Sequence, residues 1–166
     1  SQANKALVDA VSDMEGVAVF NLYELSQEIA FNVDEWSKII SDASAVIYQF
    51  PFYWMSAPSL LKKWQDEVFT FLSKTPAVAG KSLTVVTTTG SEYEAYRSGG
   101  RNRFTMDELL RPYQVSAIHS GMSWQTPIVV YGMGTADAGK NIAEGANLYK
   151  QRVEMLIGSS NAGNNW

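Results

Sequence analysis

Two short stretches of this 166-residue chain carry side chains suited to holding a flat ligand with one apolar and one polar side. The first, Pro51-Phe52-Tyr53-Trp54-Met55, sets three aromatic rings directly behind a proline. Large rings in a loop are costly to expose unless they pack on a core, a partner chain or a flat ligand. The second, Thr88-Thr89-Gly90-Ser91, offers hydroxyls, backbone N–H groups and a glycine at which a ligand can come close to the main chain. Taken singly, the aromatic run reads as core or interface packing and the Thr-Thr-Gly run as an ordinary turn. Brought to one rim, the pair would clasp a polar heterocycle. Flavins have that character, and a protein's part in flavin chemistry is to bind, orient and tune, with no nucleophile or metal required.

Other chemistries lack their residues. There is no cysteine, which removes disulfides, thiolate metal sites and thiol nucleophiles. His119 is the only histidine and falls near the C-terminal end of a predicted helix, where it suits the last carbonyls; metal-ligand spacing cannot be built on it alone. Neither a Gly-x-Ser-x-Gly elbow nor a P-loop occurs, and Gly132-x-Gly134 lacks the third glycine of a dinucleotide fingerprint. Glu92 and Glu94 read as solvated charge, as do Lys62 and Lys63 on a helix face. A net charge of -4 with no basic stripe argues against nucleic acid. The apolar runs are strand-sized and no signal segment opens the sequence, so a cytoplasmic protein is expected.

The elements that must position these residues alternate. Ala6, Leu7, Ala10, Val11 and Met14 recur at helical spacing behind a Ser1 cap, and VAVF (17–20) reads as a strand. A helix from Asp34 carries Trp36, Ile39, Ile40 and Ala43 inward, and AVIYQ (45–49) reads as a buried strand. Pro58 sits at the first turn of a third helix with Leu61, Trp64, Val68 and Leu72 on one face. SLTVVTT (82–88) is the next strand. Thr105 and Glu108 form a capping box ahead of a helix that Pro112 kinks and that ends near Gly121. PIVVY (127–131) then leads to a last helix bearing Ile142, Ala146, Tyr149, Val153 and Leu156. This order predicts an α/β fold, a doubly wound parallel sheet with helices on both faces, whose strand C-terminal ends bind ligands. The pattern calls for one further strand ahead of the first helix, absent from these residues. Residues 1–157 are expected to form one domain and GSSNAGNNW (158–166) a disordered tail or expression remnant.

The stretch QFPFYWMSAPSLLKKWQDEVF (49–69), continued in TTTGSEYEAYRSGGRNRFTMDELLRPYQ (87–114), resembles the flavodoxin-like NAD(P)H:quinone oxidoreductases, the DT-diaphorase-like family. The RNRFTMDELLRP segment is most similar to the bacterial branch of potassium-efflux ancillary oxidoreductases and drug-activity modulators. The resemblance implies a homodimeric flavoprotein, holding FMN or FAD, that passes hydride from NADH or NADPH through flavin N5 to a quinone in a ping-pong cycle. It also implies that Pro51, Phe52, Tyr53, Trp54 and Met55 line the isoalloxazine, and that Thr88, Thr89, Gly90 and Ser91 bond its polar edge. Tyr96 would stand at the hydride site as the catalytic residue, and Ser1 and Asn4 would close the loop holding the flavin phosphate. Asn102 stands where the mammalian enzyme has a proton-relay histidine, so no relay is expected. Two segments, Leu25 to Phe31 and Val68 to Lys81, are shorter than the family's usual loops. Two other functions fit the likeness: an ancillary subunit of a glutathione-gated potassium efflux system, peripheral to the inner membrane through that partner, or a flavodoxin-like electron carrier.

Overall fold

A computed structural model describes residues 1–25 and 30–162, with side chains through Ser159. In chain order the elements are α1 (Gln2–Asp9), α2 (Leu22–Leu25), α3 (Val33–Asp42), β1 (Ala45–Pro51), α4 (Ser59–Trp64), a π turn (Gln65–Phe69) and α5 (Thr70–Leu72). They continue with β2 (Ser82–Thr88), a 3-10 turn (Tyr93–Tyr96), α6 (Met106–Leu109), α7 (Arg111–His119), β3 (Ser123–Trp124), β4 (Ile128–Val130) and α8 (Ala138–Ala162).

The sheet is parallel, with β2 at its centre between β1 and the β3–β4 edge. Both its faces are covered. Leu7 of α1 and Val11 just after it, with Tyr149 and Val153 of α8, pack on Val86, Ile128 and Val130. On the other face Trp36, Ile40, Leu61, Trp64, Leu72 and Tyr113 enclose Tyr48, Phe50, Leu83 and Val85. Val85 and Val86 are wholly buried on opposite sides, which explains why strand 82–88 reads as a continuous apolar run rather than an alternation. Each such side chain stabilises the fold by about 1.5–3 kcal/mol relative to exposure.

Local chemistry sets most boundaries. Asn32 caps α3 by accepting from the N–H groups of Asp34 (3.1 Å) and Glu35 (3.2 Å). The predicted Thr105–Glu108 capping box is present at α6, with both reciprocal bonds made. Pro112 breaks the helical run at Leu110, separating α6 from α7, and Gly121 follows with φ 71° to end it. Between Trp64 and Leu72 the π turn inserts a residue, so Val68 and Phe69 are both buried along with Trp64 and Leu72.

Three expectations change. VAVF (17–20) forms no strand: Val19 is 47% exposed and Phe20 41%, and nothing among the described residues offers that run a ladder partner. A strand without a neighbour gains neither backbone bonds nor a buried face. The last strand is in two pieces, because Ser82 pairs with Ser123 but Val86 with Ile128, a slip of one residue. A bulge around Pro127, which has no N–H to donate, absorbs it. Finally, α8 continues to Ala162, so residues 158–162 are helical rather than a disordered tail; 163–166 lie outside the described residues, as do 26–29 within the segment expected to be short.

Candidate functional site

β1 ends at Pro51, and the chain leaves the sheet still pinned to it: the Phe52 N–H donates to the Thr88 carbonyl at 2.9 Å. Two residues later it folds back on itself. Tyr53 and Ser56 exchange both backbone bonds (2.9 and 3.0 Å), which leaves Trp54 and Met55 as the central pair of a two-residue turn with φ of 48° and 62°. That is type I′ geometry, normally built from Asn and Gly because side chains crowd the left-handed region. A tryptophan and a methionine there cost on the order of 1–3 kcal/mol each, and strain of this size is characteristic of ligand clamps.

The turn separates the aromatic run by role. Tyr53 is 55% exposed, Trp54 97% and Met55 46%, whereas Phe52 is buried with its ring edge-on to Tyr96 at 6.1 Å. Core packing accounts for Phe52. It does not account for Trp54, whose ring stands almost wholly in solvent.

At the end of β2 the polar half is assembled. The Thr88 hydroxyl accepts from Asn4 Nδ2 (2.8 Å), and Gln49 Nε2 donates to the Asn4 carbonyl (2.8 Å), so the first turn of α1 is tied to the C-terminal ends of β1 and β2. Ser1 Oγ accepts from Asn4 N and Nδ2, both at a long 3.4 Å. Such a weak cap leaves the positive end of α1 able to take a stronger acceptor. Gly90 is exposed, and a Cβ added to it would meet nothing within 4 Å, so its backbone is open to close approach. Thr89 is different: it is fully buried, and its hydroxyl donates to the Ser91 carbonyl at 2.8 Å. It shapes the loop rather than facing outward. Ser91 Oγ accepts from Arg101.

The loop after β4 locks this half in place. Gly132, Met133 and Gly134 donate to the carbonyls of Ser91, Thr89 and Gly90 at 2.8–2.9 Å. Gly132 has φ 76°, and a Cβ there would press on Asn141 and Thr135. Asn141 of α8 in turn donates to the Tyr131 carbonyl at 2.9 Å.

Tyr96 lies in the 3-10 turn, buried, with Tyr131 between it and Tyr93 at centroid distances of 5.9 and 5.3 Å. Burial pushes the Tyr131 hydroxyl up to about 12, which keeps it protonated at neutral pH. Tyr131 and Arg101 were not singled out from sequence, and Gly132-x-Gly134 stood out there only as an incomplete dinucleotide fingerprint. An aromatic residue at the C-terminal end of a third parallel strand, on the rim where ligands bind, was the available signal. Asn102 donates its backbone N–H to the Ala95 carbonyl at 3.0 Å. Among the described residues no three His, Cys, Asp or Glu side chains could hold a metal ion, and no helix is long and apolar enough to cross a membrane.

The rim therefore gathers Ser1, Asn4, Pro51, Tyr53, Trp54, Met55, Thr88, Gly90 and Ser91, with Phe52, Thr89 and Tyr96 beneath or beside them. A strained aromatic turn and a polar loop leave neighbouring strands at one sheet end. Residues 1–153 match a family model described as a flavodoxin-like fold. General stress protein 14 of Bacillus subtilis is 35% identical over 93% of this chain and 90% of its own length. The glutathione-regulated potassium-efflux system ancillary protein KefG of Pectobacterium atrosepticum is 34% identical over 79% of this chain and 74% of its own. YdeQ of Bacillus subtilis, described as an uncharacterized NAD(P)H oxidoreductase, is 34% identical over 94% and 81%. Among solved structures, general stress protein 14 of Treponema denticola in complex with FMN superposes with a TM-score of 0.84 at 27% identity, covering 94% of this chain and 91% of that one. An NADPH-quinone reductase from P. pentosaceus gives 0.74 at 25% identity, covering 90% and 89%. A protein described as a thermophilic tryptophan halogenase from Streptomycin violaceusniger gives 0.84 at 35% identity, covering 92% and 91%. Names this varied on one fold mean that function must be argued from the site.

Proposed function

The chain belongs to the flavodoxin-like family, and from that premise we propose that it is a flavin-dependent NAD(P)H:quinone oxidoreductase, with FMN the favoured cofactor. The observation that carries this reading is the type I′ turn at Trp54-Met55: residues that disfavour left-handed backbone are held there with their side chains exposed, at the strand end next to the one that bears the open Gly90 loop. Among the described residues no packing explains that arrangement, and a planar ring system seated on the turn would. The FMN complex of a relative with this fold and the NAD(P)H oxidoreductase and quinone reductase names among the relatives support the same reading.

The residues present fit such a group. Tyr53, Trp54 and Met55, following Pro51, would cover the isoalloxazine. Gly90 and Ser91 would bond its polar edge, with the Thr88 hydroxyl at its base. The weakly capped start of α1, at Ser1 and Asn4, would take the phosphate, since exposed N–H groups and the helix dipole favour an anion there. When bound, the flavin supplies two-electron chemistry at N5, exchanged between NAD(P)H and a quinone in a ping-pong cycle. Tyr96 would border the reacting edge, held by Phe52 on one side and Tyr131 on the other. Its hydroxyl would donate to developing negative charge, and backbone N–H groups of the 90–91 loop can serve the same end. The exposed tryptophan and the exposed tyrosines also suit a homodimer.

The direct test is turnover: purified protein loaded with FMN should oxidise NADH or NADPH faster when a quinone is added. Flavin that stays oxidised under excess NADH and NADPH would overturn the reading. A second function has a specific observation in its favour, the likeness to a potassium-efflux ancillary protein. Copurification with an efflux protein, and activation of it by a variant that no longer oxidises NAD(P)H, would make binding rather than turnover the main role.

A further inference from the structure

Beside the flavin rim, and sharing Tyr96 with it, lies a groove of about 810 Å³. Small-molecule sites span roughly 300–1,000 Å³, and this one exceeds what a single quinone ring would occupy. It follows β4 from Pro127 to Tyr131 on the side of that strand away from β2, between the Tyr93–Ser98 segment and α8. Its lining divides by chemistry. Tyr93 and Tyr131 meet edge to face at 5.3 Å and offer ring surface. The Arg97 guanidinium lies 5.4 Å from the centre of the Tyr93 ring. Arg152 spends one N–H on the Thr126 carbonyl at 2.6 Å and keeps further donors of its fork. Asp107 and Gln151 add acceptors.

We infer that this groove takes the adenosine diphosphate half of NAD(P)H. A purine needs an aromatic face, which Tyr93 and Tyr131 supply. A diphosphate needs cations, best of all guanidinium groups, and Arg97 and Arg152 line one groove in a chain whose net charge is -4. Ribose hydroxyls need acceptors, and Asp107 and Gln151 are there. An uncharged quinone would use none of these charged groups. The shared Tyr96 puts the groove next to the flavin edge, so a dinucleotide lying along β4 would bring its nicotinamide to the rim. This inference rests on the pyridine-nucleotide reading above and adds where the non-reacting half of the donor is held.

The test combines binding with a donor swap. ADP titrated into the purified protein by calorimetry should bind saturably. Arg97→Gln should weaken that binding about tenfold, as expected for losing one charge-assisted contact. Leu148→Trp, at a groove residue already 55% exposed, should block it without unfolding the protein. The KM for NAD(P)H should rise in both variants, while that for dihydronicotinamide riboside, which lacks the adenosine diphosphate, stays unchanged. Absence of ADP binding, or equal KM shifts for the two donors, would overturn the inference even in an active oxidoreductase. ADP binding in a protein that oxidises neither donor would uphold the groove and sink the oxidoreductase reading. A change of oligomeric state in Leu148→Trp with ADP affinity intact would assign the groove to a second copy of the chain and overturn the inference.

Discussion

Aromatic residues two positions apart can differ completely in what they do, and the pair Phe52 and Trp54 shows it. Phe52 is buried against Tyr96, so Phe52→Ala should destabilise the flavin-free protein by about 3–5 kcal/mol, read from thermal unfolding. Trp54 is 97% exposed, so Trp54→Ala should change flavin-free stability by no more than about 0.5 kcal/mol. It should nonetheless speed flavin loss about tenfold. Equal effects of Trp54→Ala on stability and retention would return the whole run to ordinary packing. Met55→Gly removes a left-handed side chain and should stabilise the flavin-free fold by about 1 kcal/mol or more. The residue types at this rim were legible in sequence because bulky rings behind a strand and a Thr-Thr-Gly run are conspicuous. The inward turn of Phe52 and the buried hydroxyl of Thr89 were not, since both depend on one pair of bonds between Tyr53 and Ser56 and on the loop at 132–134.

Among the elements, those with local signals read true, as did β1 and β2 with their continuous apolar runs, whereas VAVF and the register of the last strand, which turn on a distant partner, did not. The Thr105–Glu108 box is such a signal, and Thr105→Ala should cost about 1 kcal/mol of stability at neutral pH. The backbone N–H and hydroxyl of Thr105 hold the Glu108 carboxyl below its usual range. Its share of the box is therefore present above the ordinary glutamate range and fades as pH falls through the lowered value. The gap between wild type and Thr105→Ala should accordingly narrow in acid; a gap that widens would refute the assignment. Gly145 marks a close approach of α8 to the sheet, for a Cβ there would come within 2.4 Å of a Val130 methyl. Gly145→Leu should destabilise by about 1–3 kcal/mol despite leucine's better helix propensity. VAVF at 17–20 has strand composition and no strand, because pairing is decided by neighbours that composition does not report. The one-residue slip around Pro127 is invisible for the same reason: register exists only between two strands.

At the scale of the molecule, alternation of helix and strand was enough to give the doubly wound sheet, and the sheet was enough to give the rim. Right-handed crossovers leave little choice once β1, β2 and β4 are parallel, and all loops that carry the site leave from their C-terminal ends. What alternation could not give is the tie between the start of α1 and Thr88 through Asn4, a contact between residues far apart in the chain that fixes the start of α1 against the end of β2 and, on the proposed reading, would set the phosphate end of the site against its ring end. Asn4→Ala should therefore lower flavin affinity more than it lowers the melting temperature of the flavin-free protein. The central claim is that this rim is built around a flavin. Denaturing the purified protein and taking the mass of whatever chromophore it releases tests that claim most directly. The account predicts a flavin, FMN before FAD, in near-equal amount to the chain, or stoichiometric uptake by protein isolated without it. A colourless protein that retains neither flavin after incubation would contradict it.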